Sequence, residues 1–127
     1  MDERTAEILK RFSESWKETE KFYGHLIDDI TGWDKLIPLY IFIQKLRKAG
    51  EDKSFRLGTA IQHLIISRSV ENGLRPDQKF IKIQALDNSF IVSLRDGKKL
   101  YREYTIKDLD DERLTGLLQT LKTTLID

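Results

Sequence analysis

One feature constrains this chain more than any other: its hydrophobic period changes. As far as about residue 72, apolar residues recur at three- and four-residue steps, whereas between Lys79 and Ile106 they alternate with a period of two. The first spacing puts one stripe of a helix in a core, and the second puts one face of a strand there. A final leucine-rich segment returns to the helical period. Helices followed by consecutive strands, with a closing helix, make an α+β layout.

The first segment starts at Asp2 and places Ile8, Leu9, Phe12, Trp16, Thr19 and Tyr23 on one face, with charged residues between them. That is an amphipathic helix. Gly24 weakens its continuation, and Asp28 and Asp29 would oppose the macrodipole at a helix C-terminus. The expected course is therefore a break near Gly24 rather than one rod to Ile30. Asp34 can cap the next helix, Pro38 fits its first turn, and Gly50 can end it in the left-handed conformation. Between Leu36 and Leu46 this second segment is apolar on nearly every side, which predicts a place in the middle of the core. A third helix is predicted over Phe55–Asn72, with Leu57, Ala60, Ile61, Leu64 and Ile65 inward and Ile66 and Val70 widening the face. Asn72-Gly73 would stop it, and Leu74-Arg75-Pro76-Asp77 would form a turn.

Three strands follow, carried by Ile81, Ile83 and Ala85, then Phe90, Val92 and Leu94, then Leu100, Tyr104 and Ile106. Asp96-Gly97 marks a hairpin between the second and third. A bulged hairpin with a three-residue loop, Arg95-Asp96-Gly97 with Gly97 at positive φ, would turn the six large apolar residues of those two strands to one face. The last helix is predicted from Asp110 to Leu125, capped by Asp108 or Asp110, with Leu114, Leu117, Leu118, Leu121 and Leu125 inward. The resulting order is ααα-βββ-α, with a three-stranded antiparallel meander, in one domain spanning residues 1–127.

The chain has no cysteine, so no disulfide staples it. Its start, Met1-Asp2-Glu3-Arg4, lacks the apolar stretch of a secretory leader. The longest apolar run, Leu36 to Ile43, falls short of the roughly 20 residues a bilayer requires. These features predict a cytoplasmic protein with no membrane partner. The net charge of +1 conceals a division: residues 1–34 carry −4, residues 35–52 +2, residues 53–107 +6 and residues 108–127 −3. The basic centre lies between acidic ends, which suits either internal pairing or an anionic partner.

No residue set announces a reaction. The two histidines, His25 and His63, lie in separate segments with no HExxH or CxxC spacing around them, so no metal or cofactor is expected. Asp108, Asp110, Asp111 and Glu112 fall where a helix begins, and capping accounts for them. Ser67 and Ser69 have no nucleophile elbow around them. Gly58 has no phosphate-loop context.

The chain is therefore read as a non-enzymatic protein-interaction module whose partner is another protein or a second copy of itself. The aromatic stripe Phe12, Trp16 and Tyr23 is the candidate contact surface, and a homodimer follows if the first helix is long enough to overhang the globule. The alternative reading is nucleic-acid binding by the basic hairpin at residues 95–102. Lys82, Arg95, Lys98 and Lys99 would hold phosphates, and Tyr101 would stack a base.

Overall fold

The computed structural model describes residues 3–29, 36–60, 63–68, 79–97 and 99–123. The chain runs through α1 (Glu3–Asp29), α2 (Ile37–Lys48), a 3₁₀ turn (Glu51–Lys53), β1 (Arg56–Ala60), β2 (His63–Ser67), β3 (Lys79–Ala85), β4 (Phe90–Asp96), β5 (Lys99–Ile106) and α3 (Glu112–Lys122). The α+β class holds, but the sheet has five antiparallel strands in the order β1-β2-β3-β4-β5. Among the described residues three α-helices accompany it, so neither the three-stranded meander nor the ααα-βββ-α order is correct.

The error lies in residues 55–67, where a predicted helix is a β-hairpin. Leu57 pairs with Ile66 and Thr59 with Leu64. Phe55, Leu57, Leu64 and Ile66 are buried, while their neighbours Arg56, Gly58, His63 and Ile65 are less so. That is a period of two in each strand. Taken as one run, the same apolar residues also satisfy three- and four-residue steps, so periodicity alone could not separate the two. Thr59, Ile65 and Ile66 are β-branched and Gly58 is a poor helix residue, so local preference favours strands. β2 then pairs with β3 so that Leu64 meets Ile83 and Ile66 meets Ile81.

All three helices cover one face of the sheet. That face carries Leu57, Leu64, Ile66, Ile81, Ile83, Ala85, Phe90, Val92, Leu94 and Ile106, and it shares one core with Trp16, Tyr23, Leu39, Ile43 and four leucines of α3. Those leucines, Leu114, Leu117, Leu118 and Leu121, belong to the expected inner face, and its fifth member, Leu125, lies outside the described residues. The N-cap of α3 is Asp111, however, and not Asp108 or Asp110. Its carboxylate accepts from the Arg113 N–H at 2.9 Å.

Helix α1 does not break at Gly24. Leu26 and Ile27 pack against the core, and that burial outweighs the modest penalty of acidic residues at a helix C-terminus. A Cβ at Gly24 would lie 3.4 Å from the Tyr40 ring of α2, an ordinary van der Waals contact, so the packing of the two helices does not require a glycine there. Helix α2 is not central either: Leu39, Phe42 and Ile43 are buried, but Ile37 and Ile41 face outward at 37% and 57% exposure. It ends as expected at Gly50, φ 87°, whose N–H donates to Arg47 O at 3.0 Å.

The β4–β5 hairpin combines a tight turn with a bulge. Gly97 has the expected positive φ, 61°, but Asp96 pairs with Lys99 and Arg95 with Leu100, so the three-residue loop does not form. Continued without interruption, that register would turn Tyr104 and Ile106 away from the core. A shift at Leu94/Arg95 inserts one extra residue in β5, and Val92 then meets Tyr104 and Phe90 meets Ile106. Leu100 precedes the shift, is left off the core face and stays 45% exposed. The N-cap of α2 is Leu36, with no side-chain cap, in place of the predicted Asp34. The Asn72-Gly73 stop, the turn at 74–77 and Lys98 lie outside the described residues.

Candidate interaction site at the sheet edge

The two edges of the sheet differ. The β1 edge is held against α1 by three hydrogen bonds between that helix and the β1–β2 hairpin region. The Leu57 N–H donates to Ser15 Oγ at 3.0 Å, Trp16 Nε1 donates to Phe55 O at 2.8 Å, and the Tyr23 hydroxyl donates to His63 O at 3.3 Å. Burial pushes the Tyr23 phenol well above its ordinary value, so it stays a neutral donor. At the other end of the sheet, β5 pairs with β4 alone among the described residues. Its residues from Lys99 to Glu103 are all exposed, and only Ile106 is buried. An unpaired edge presents a row of N–H and C=O groups that can accept another strand.

The aromatic stripe lies on the covered side. Phe12, Trp16 and Tyr23 are 0%, 1% and 0% exposed, enclosed by elements of their own chain. They build the core and hold β1, and they offer no face to a partner.

The basic candidates are divided by the sheet. Lys82 pairs with Ile65 and Ser93, and Arg95 pairs with Phe80 and Leu100, which puts both on the face away from the helices. Lys99 pairs with Asp96, itself opposite Lys79, in a row on the helix-bearing side. Tyr101 joins that second group. The Lys99 ammonium lies 5.0 Å from its ring centroid and that of Lys79 5.9 Å away. Arg102 follows, with Nη1 donating to Tyr101 O at 3.1 Å. The edge thus gathers Lys79, Lys99, Tyr101 and Arg102, while Lys82 and Arg95 stand apart from it. Lys79 was missed because its place depends on β3 pairing with β4, although the alternation through Ile81 and Ile83 puts it on that face.

Elsewhere the polar groups answer to one another. Asp111 is held down to about 2 by the Arg113 guanidinium and N–H, Asp108 accepts from the Asp110 N–H at 3.1 Å, and Asp110 pairs with Lys45. Lys122 bridges to Glu51 at 2.7 Å. Among the described residues no three His, Asp or Glu side chains gather to hold a metal ion. An open cleft of about 310 Å³ runs beside α1, lined by both signs of charge: Glu7, Glu14, Glu18, Lys10, Arg11 and Arg56, with Ser15. The Arg11 hydrogen bond lowers Glu7, and the two close a pair at 3.0 Å. No helix in the described residues is long and apolar enough to cross a membrane.

Comparison of the chain with protein-family models, with curated proteins and with solved structures finds no match.

Proposed function

We propose that this chain is a non-enzymatic protein-interaction module that takes an extended segment of a partner along β5. One observation carries the reading: the sheet's first edge is hydrogen-bonded to α1 through Ser15, while its last strand, eight residues long, pairs on one side only among the described residues. Main-chain hydrogen bonds from such an edge supply affinity, and the side chains beside it choose the sequence. Extended peptides selected for binding should slow amide exchange along residues 99–106 and leave β1 unchanged. Binders that protect α1 or α2 in place of β5 would refute the reading.

The basic and aromatic composition of the hairpin supports nucleic acid as a second reading. Two facts weigh against it. Among the described residues the cations stand on two faces of the sheet and form no single track for a phosphate backbone, and Lys79 and Lys99 already lie over the ring that would have to stack a base.

A further inference from the structure

We infer that the segment taken up by β5 is acidic at the end that lies beside the β4–β5 hairpin. The inference rests on the edge-pairing reading above and adds the chemistry of the partner. A strand laid beside β5 extends the rows of the sheet, so each of its side chains stands next to a known neighbour. On the helix-bearing side the first such neighbour is Lys99, in the row Lys79–Asp96–Lys99. Tyr101, the extra residue at the register shift, comes next with its ring under the Lys99 ammonium, then Arg102, paired with Leu94, and then Tyr104, paired with Val92. The added strand therefore meets two cations, with Tyr101 between them, and then a half-buried aromatic ring. Carboxylates at two alternate positions, followed by an apolar residue, complement that order.

The surroundings reinforce the local charges. Residues 79–107 contain seven Lys or Arg and three Asp or Glu, so this part of an almost neutral chain is a cationic field. Its own acidic groups do not satisfy that order. Asp96 already sits between Lys79 and Lys99, and Glu103 pairs with Ser93 on the other face.

A second copy of the chain fits less well. A symmetric antiparallel pair of β5 strands must set some residue opposite its own copy, because strand pairs alternate in type and a two-fold axis preserves that type. Centred on Arg102 or Glu103, the pair opposes like charges, which is destabilising. Centred on Tyr104, it places Arg102 beside Ile106 and leaves Lys99 without an opposing strand residue. Centred on Tyr101, it numbers Lys99 against Glu103, but Lys99 stands on the helix-bearing face and Glu103 on the other, so the two charges do not meet. A different chain carrying carboxylates avoids these conflicts.

The test uses the intact chain and three blocked peptides of about eight residues. Each has threonine at every second position, the intervening positions being two glutamates and then two valines, with glutamine or lysine replacing glutamate in the other two. Both sequence directions are synthesised, because an edge accepts parallel and antiparallel strands. Affinity is read by anisotropy and location by backbone amide shifts. The glutamate peptide should bind about five- to tenfold more tightly than the glutamine one, the size expected of two exposed ion pairs. The gap should narrow with added salt, and the shifts should run along residues 99–106. Lys99→Glu with Arg102→Glu should reverse the preference and favour the lysine peptide, a gain of binding that a damaged fold could not produce. Equal binding of all three peptides along β5 would overturn the acidic assignment and leave edge pairing standing. Shifts confined to other strands, or no shift with any peptide, would overturn both. A single-stranded oligonucleotide that moves the β5 amides at lower concentration than the glutamate peptide would also overturn both, and would assign the edge to nucleic acid.

Discussion

Ser15→Ala tests how α1 holds the sheet. Ser15 is 6% exposed, its hydroxyl donates to Phe12 O at 2.6 Å, and its oxygen accepts the outward N–H of Leu57 at 3.0 Å. Leu57 is itself 4% exposed, so water cannot readily replace the lost acceptor. Leaving a buried amide unsatisfied costs about 1–3 kcal/mol. Alanine is the better helix former by about 0.5 kcal/mol, which offsets part of that loss. The net expectation is a destabilisation of about 1–2 kcal/mol. Urea unfolding measures it, with the slope unchanged if the native and unfolded states keep their surfaces. Lys17→Ala, at an exposed position of the same helix, should stay within about 0.5 kcal/mol of the parent. Amide exchange at Leu57 should quicken in Ser15→Ala alone. If Ser15→Ala proves as stable as the parent with Leu57 exchange unchanged, the hydroxyl is not what ties the helix to this edge.

Two further outcomes follow from single residues. Gly24→Ala should raise stability by about 0.5–1 kcal/mol in thermal melts, the helix-propensity gain of an unbroken α1. Gly24→Val should reverse the sign, because its branches would press on the Tyr40 ring that a Cβ already approaches to 3.4 Å. Asp111 is held below its ordinary 3.8, at about 2, chiefly by the Arg113 side chain. Its stabilising contribution is therefore complete above its unfolded value and is lost as pH falls through the folded one. Asp111→Asn should flatten the acid limb of stability in urea melts between about pH 5 and 2, and an unaltered limb would contradict this.

Much of the fold is legible locally. The final helix follows from leucines at helical spacing after a run of acidic residues, with only the choice of cap misread. Strands β3 and β4 follow from strict alternation, and Gly50 and Gly97 are read correctly as left-handed turn positions. The β5 register is harder, because it joins two separate demands. A tight turn at Gly97 and a core face containing Tyr104 and Ile106 have incompatible parity, and the extra residue at the Leu94/Arg95 shift reconciles them. A bulge is expected with the three-residue loop, but its actual place, inside β5, is not marked by composition. The candidate site is half legible: the sequence groups Lys82 and Arg95 with Lys99 and Tyr101, and the strand register sets the first two on the opposite face of the sheet.

What the sequence determines by itself is where its local preferences agree. Alternating β-branched residues, an Asp-Gly turn and a leucine stripe each have one structure that satisfies backbone hydrogen bonding and burial within a few residues. Tertiary structure decides the rest. Residues 56–60 and 63–67 fit either period, and their local lean toward strands is realised because Leu64 and Ile66 find Ile83 and Ile81 across the sheet. Helix α1 stays whole through Gly24 because Leu26 and Ile27 meet the core, and its aromatic residues are buried because β1 lies under them. In each case the deciding contact lies far along the chain. Burial is a property of the assembled surface, so no local window contains the partner that makes one conformation lower in free energy.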